Sequence, residues 1–118
     1  SVICLDNFSN FYDPRLKEDN IKGMINKPDF TLIRGDILDN GLLEKIFSED
    51  KILKVVHLAA IPGVRQSLNN PLAYIDVDIK GTVNLLEIAD KFGVSQFIFG
   101  SSSTVYGQDS KIPGRISR

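Results

Sequence analysis

Val2-Ile3-Cys4-Leu5-Asp6-Asn7 decides the fold. Four apolar residues without polar alternation suit a strand covered on both faces, as in a parallel sheet, and the run stops abruptly at an acid and an amide. The same grammar recurs along the chain. Thr31-Leu32-Ile33 reads as a second strand closed by Gly35-Asp36, and Val55-Val56-His57-Leu58 as a third ending in Ala59-Ala60. Gln96-Phe97-Ile98-Phe99 reads as a fourth, running into Gly100-Ser101-Ser102-Ser103.

Helical patterns fill the intervals. Arg15 to Ile25 carries Leu16, Ile21, Met24 and Ile25 at roughly helical spacing and ends before Pro28. Asp39 can cap a helix whose Leu42, Leu43, Ile46 and Phe47 form one stripe. After a polar, aromatic-rich loop (Phe8 to Pro14) and a second loop holding Pro62, Gly63 and Pro71, the longest pattern aligns Leu85, Leu86, Ala89 and Phe92. Lys91 and Gly93 mark its end. Strand and helix alternate throughout, which predicts right-handed βαβ units and four parallel strands. In such sheets ligands bind at the carboxyl ends of the strands, so Asp6, Asp36, Ala59 and Ser101 are expected along one edge.

Composition narrows the function. A chain of 118 residues is one domain at most; with 42% apolar and 25% charged residues it is ordinary for a soluble globular protein. A formal charge of −1, with Lys and Arg scattered, offers no nucleic-acid or anionic-membrane surface. No apolar run reaches bilayer length, and the first residues lack the flanks of a signal peptide. One cysteine and one histidine support neither an internal disulfide nor a metal site. Cys4 reads as a small apolar strand residue, and a reducing, cytoplasmic setting is expected.

Taken singly, the polar residues leave alternatives open. Asp6 at a strand tip could accept hydrogen bonds from adenosine ribose hydroxyls, its charge disfavouring a 2′-phosphate, or it could only satisfy a local turn. Asp36 could reach an adenine amine or close a turn after Gly35. Ala59-Ala60 could let a cofactor approach the backbone or pack beneath a helix. The run Ser101-Ser102-Ser103-Thr104 could hold a substrate hydroxyl, or be turn chemistry. His57, inside an apolar strand, reads as a satisfied core histidine rather than a base. Arg65 could contact a phosphate or carboxylate or be solvated.

The order of these segments resembles the extended short-chain dehydrogenase/reductases, a family of NAD-dependent nucleotide-sugar epimerases and dehydratases. The blocks are Leu5-Asp6-Asn7-Phe8-Ser9-Asn10, Gly35-Asp36-Ile37, Val56-His57-Leu58-Ala59-Ala60, Asn70-Pro71-Leu72-Ala73-Tyr74, Gly81-Thr82-Val83-Asn84-Leu85-Leu86-Glu87, and Ser101-Ser102-Ser103-Thr104-Val105-Tyr106-Gly107. None is diagnostic alone; together, in order and at compatible spacing, they cover nearly the whole chain. Tyr12-Asp13-Pro14-Arg15-Leu16-Lys17 and Pro62-Gly63-Val64-Arg65 look most like the UDP-glucuronate 4-epimerase branch.

The resemblance implies a partial Rossmann-type doubly wound sheet, residues 1–118 forming a single partial NAD-binding domain. Asp6 and Asn7 match the ribose-binding pair, with Asn10 a further cofactor contact. Asp36 and Ile37 match the adenine side, and Leu58, Ala59 and Ala60 the segment under the pyrophosphate and nicotinamide ribose. Ser101 falls on the cofactor side. Ser102 matches the catalytic residue that holds the sugar hydroxyl, with Ser103 and Arg65 on the substrate side. The implied reaction is epimerisation at C4 of a UDP-sugar through a 4-keto intermediate, usually in a homodimer. A 4,6-dehydratase, a decarboxylase or a non-catalytic NAD or nucleotide-sugar module are the alternatives.

Departures from the family pattern matter too. Its glycine-rich loop precedes the ribose-binding Asp by about twenty residues, and its first strand and that loop are expected outside this sequence. Its Tyr-x-x-x-Lys pair is expected beyond Arg118, since Tyr106 is followed by Ser110 where a lysine would stand. Asp78 occupies a usual Asn position, and residues 114–118 fit the pattern poorly. An internal fragment of this kind is expected to be inactive alone.

Overall fold

A computed structural model of the chain describes residues 1–106. Ser110 and residues 114–118, on which two of the sequence expectations fall, lie outside the described residues. The elements alternate as the pattern requires: β1 (Val2–Asp6), α1 (Pro14–Ile21), β2 (Phe30–Arg34), α2 (Asn40–Glu49), β3 (Lys54–His57), α3 (Val64–Asn69), α4 (Pro71–Tyr74), a π-helical segment (Ile75–Gly81), α5 (Thr82–Lys91) and β4 (Gln96–Phe99).

The strands form two parallel pairs. β1 lies against β2 with Val2 opposite Phe30 and Asp6 opposite Arg34, and β3 against β4 with Lys54 opposite Gln96 and His57 opposite Phe99. The pairs are not hydrogen-bonded to each other. The two pairs match the flanks of a doubly wound sheet of order 3-2-1-4-5, an arrangement in which a central strand lies between such flanks. The expectation of strands covered on both faces is corrected. Val2 is 55% exposed and the rest of β1 only half-buried, because each pair has helices on part of its surface only.

The core sits between α2 and α5. Ile37, Leu43, Ile46, Phe47, Leu85 and Ile88 are buried together, with Leu5, Ile33, Val55 and Phe97 of the strands packed against them. Asp39 caps α2 as expected, its side chain accepting from the Leu42 N–H at 3.0 Å. On α5 the buried face is Leu85, Ile88 and Ala89, whereas Leu86 points outward. Phe92 closes the cluster with its ring 6.1 Å from that of Phe47.

Two helical boundaries differ from the sequence reading. α1 ends at Ile21, not Ile25, and gives way to successive turns through Met24 and Lys27. It buries no residue, so no packed face extends it past Lys22-Gly23. The interval from Pro62 to Pro71, read as loop, contains α3. That helix is also unburied and therefore left no apolar periodicity to read.

Candidate functional site

The acid ending β1 opens a tight turn. The Phe8 N–H donates to Asp6 Oδ1 at 2.7 Å and the Ser9 N–H to Asn7 Oδ1 at 3.0 Å. These consecutive Asx turns force Phe8 to a φ of 51°, an uncommon region for a bulky residue. The Arg34 guanidinium lies 4.0 Å above the Phe8 ring and braces the turn from β2. The local-turn reading of Asp6 thus holds for one carboxylate oxygen. Among the described residues, Oδ2 takes no hydrogen bond.

β2 ends beside it. Asp36 Oδ1 accepts from the Leu38 N–H at 2.9 Å, and Oδ2 accepts from Asn7 Nδ2 at 2.9 Å. Asn7 therefore stitches the two strand tips together. Ile37 is held by α5, where the buried Asn84 amide donates to the Ile37 carbonyl at 3.1 Å.

The third wall is Leu58-Ala59-Ala60, after β3. Asp78 Oδ1 accepts from the Ile61 N–H at 2.8 Å and the Tyr74 hydroxyl lies 2.8 Å from the Pro62 carbonyl. The segment is thus fixed from behind by the helical run that follows it. Asp78 needs only an acceptor here, so a carboxylate serves where the family pattern has an amide.

These walls enclose one cavity of about 560 Å³ lined by Asp6, Asn7, Asn10, Asp36, Ile37, Leu58, Ala59 and Ala60. Every residue placed on the cofactor side from the sequence, Ser101 excepted, lines it. Parallel pairing of His57 with Phe99 continues through the Gly100 N–H, which donates to the His57 carbonyl at 2.9 Å. Ser101 therefore follows its strand at the same sheet end as Leu58, but outside the cavity. Ser102 and Ser103 are exposed and also outside it; Ser102 Oγ accepts from the Thr104 hydroxyl at 3.0 Å. Arg65, on α3, does not line the cavity either.

Sequence reasoning missed Lys17. Its ammonium is 3.2 Å from Asp6 Oδ1, its side chain is 13% exposed, and it lines the same cavity. Ser9, Phe11, Tyr12 and Val77 also line it unannounced. The loop from Phe8 to Pro14 folds back over the strand tip and delivers α1 with Lys17 inward. A separation of eleven residues across an irregular loop carries no periodic signal.

His57 is the satisfied core histidine expected. It is 3% exposed, with Nε2 2.9 Å from Thr82 Oγ1. The Thr82 hydroxyl donates its only proton to the Asp78 carbonyl at 2.6 Å, so Nε2 must be the protonated nitrogen. Burial pushes the His57 pKa down, partly opposed by the Asp78 charge. The Cys4 thiol is pushed up by burial and then by Asp6, which fits its reading as an inert strand residue. Among the described residues no cluster of His, Cys, Asp and Glu could hold a metal ion.

Two parallel pairs, an acid at the first strand tip, and small residues facing it across a cavity define a Rossmann-type α/β framework. The chain belongs to the family described as GDP-mannose 4,6 dehydratase, whose model matches residues 1–117. It is 41% identical over 113 residues to UDP-glucuronate 4-epimerase 5 of Arabidopsis thaliana, covering 95% of this chain and 26% of that protein. The structure of a UDP-glucuronic acid 4-epimerase from Bacillus cereus, in complex with UDP-glucuronic acid and NAD, superposes with a TM-score of 0.82 at 37% identity. That match covers 98% of this chain and 35% of the other. The UDP-glucose 4-epimerase of Bifidobacterium longum, in complex with NAD+ and UDP, gives a TM-score of 0.80 at 31% identity over 95% of this chain and 32% of its own. The chain thus spans about a third or less of the length of these relatives.

Proposed function

We propose that residues 1–118 form a single partial NAD-binding domain, the adenosine-side half of the dinucleotide site in a UDP-sugar 4-epimerase. The observation that carries this reading is the convergence of Asp6, Asn7, Asp36 and Ala59-Ala60 on one cavity. The open Oδ2 of Asp6 can accept from a ribose hydroxyl. Asp36 and Ile37 edge the adenine side, with Asn10 a further contact from the loop after β1. The absence of side chains beyond Cβ at Ala59 and Ala60 lets a pyrophosphate and nicotinamide ribose lie close to the backbone. Bound NAD supplies the hydride acceptor and donor for C4 of the sugar. Ser101 stands on the cofactor side. Ser102 holds the 4-hydroxyl as charge develops on its oxygen, with Ser103 and Arg65 on the substrate side.

The relatives named above favour the epimerase. The family's own description favours a 4,6-dehydratase as second reading, and product analysis separates them: an epimer against a 4-keto-6-deoxy sugar. Leu72, Ile75, Ile79, Val83 and Leu86 leave an apolar stripe at 45–71% exposure along α4, the π segment and α5, which supports a homodimer in the intact protein. No helix among the described residues is long and apolar enough to cross a membrane. The single free Cys4 suits a reducing, cytoplasmic setting.

Calorimetry of NAD with the intact protein tests the reading. Asp6→Ala removes an ionised acceptor, for which a loss of about 1.5–3 kcal/mol is expected. Unchanged affinity would return Asp6 to the role of a turn residue.

A further inference from the structure

We propose that Lys17 determines how sharply this site separates NAD from a dinucleotide bearing a 2′-phosphate. The inference rests on the dinucleotide reading above. An acid at the ribose position by itself repels a 2′-phosphate, since like charges would meet within a few ångströms. Here the acid does not act by itself. The Lys17 ammonium sits 3.2 Å from Asp6 Oδ1 and is steadied by the Tyr12 ring, 5.3 Å from its centroid.

Lys17 is the more buried partner, its side chain 13% exposed against 43% for Asp6, so water screens its charge least. The pair is neutral overall. An ammonium has three donors and Asp6 occupies one of them. The others remain available to a ribose hydroxyl oxygen or to a phosphate oxygen. The pair can therefore read a ribose diol with Asp6 accepting and Lys17 donating. It also offers a 2′-phosphate a cation where a lone carboxylate would offer only repulsion. The site is thus less exclusive for NAD than its acid alone implies.

Lys17 has a structural duty as well. α1 buries no residue fully, and its polar side-chain ties to the strands are this pair and the Arg34–Glu18 ion pair at 3.0 Å. A purely structural role would weaken both dinucleotides alike, so the ratio of their affinities is the informative readout.

The test is calorimetry of NAD and NADP against the intact protein and its Lys17→Met, Lys17→Gln and Lys17→Arg variants. Met and Gln are expected to shift the affinity ratio toward NAD by about tenfold or more, the scale of one charge-assisted hydrogen bond. Arg is expected to keep it. An unchanged ratio in both neutral variants, or a shift in Lys17→Arg as large as in Lys17→Met, overturns the proposal while leaving NAD binding intact. If the unsubstituted protein binds neither dinucleotide, the cofactor reading itself falls and this inference with it.

Discussion

His57 shows how one buried side chain imposes a pH dependence on the domain. In the unfolded chain it titrates at its ordinary 6.5, and in the folded protein burial holds its pKa lower. Above 6.5 both states are neutral there and His57 contributes no pH dependence. Below it the unfolded chain takes up a proton that the native state refuses, so stability falls as pH drops, until the folded pKa is passed. The slope approaches about 1.4 kcal/mol per pH unit at most. Thermal melts of the intact protein should therefore lose Tm on the acid side of 6.5. His57→Gln, which keeps an N–H for Thr82, should lose less. An equal acid-side loss in the variant would trace the effect to other groups. Among site residues, the sequence marked Asp6, Asn7 and Asp36 because acids and amides closing apolar runs are conspicuous. Lys17 was hidden, since charged residues on a short exposed helix are commonplace.

Among the elements, the join between the π segment and α5 carries the most information about the site. Gly81 is buried there, and a Cβ added to it would overlap the Ile37 side chain. The glycine therefore lets α5 approach Asp36-Ile37, which line the cavity. Ala in a helix ordinarily stabilises by roughly 0.5–1 kcal/mol over Gly. Here the overlap should outweigh that gain, since overpacking a tight contact costs about 1–3 kcal/mol. Gly81→Ala is expected to lower the Tm of the intact protein and weaken NAD binding through displaced Ile37 and Asp36. A higher Tm with unchanged affinity would mean that Ile37 turns aside freely. α5 was legible from Leu85, Ala89 and the closing Gly93. The π-helical stretch before it was not: Ile75, Ile79 and Val83 stand at ordinary α-helical spacing, and what the stretch secures is Asp78 against the Ile61 N–H.

In the molecule as a whole, the two strand pairs face each other across the cavity without a hydrogen bond between them. The inner edges of β1 and β3 keep backbone donors and acceptors that a neighbouring strand would satisfy. Exposed Leu58, Val56 and Phe99, between 56% and 73%, show that much of the β3–β4 surface has no cover within this chain. Expressed as these 118 residues alone, the chain is expected to self-associate and to bind NAD far more weakly than the intact protein. Sedimentation together with calorimetry checks this. Low-micromolar NAD binding by a monomer of the isolated chain would show that the two pairs suffice.

The sequence by itself determined the alternation of strand and helix, the parallel pairing it implies, and the strand-end residues that meet in the cavity. Those are consequences of local chemistry: apolar runs with a period, caps, and polar stops. Tertiary structure alone decided that Asn7 bridges to Asp36, that Lys17 returns to neutralise Asp6, and that Ser101, Ser102 and Arg65 stand apart from the cavity. Each of these depends on where a loop or helix lands in space, and no periodicity in the chain records that.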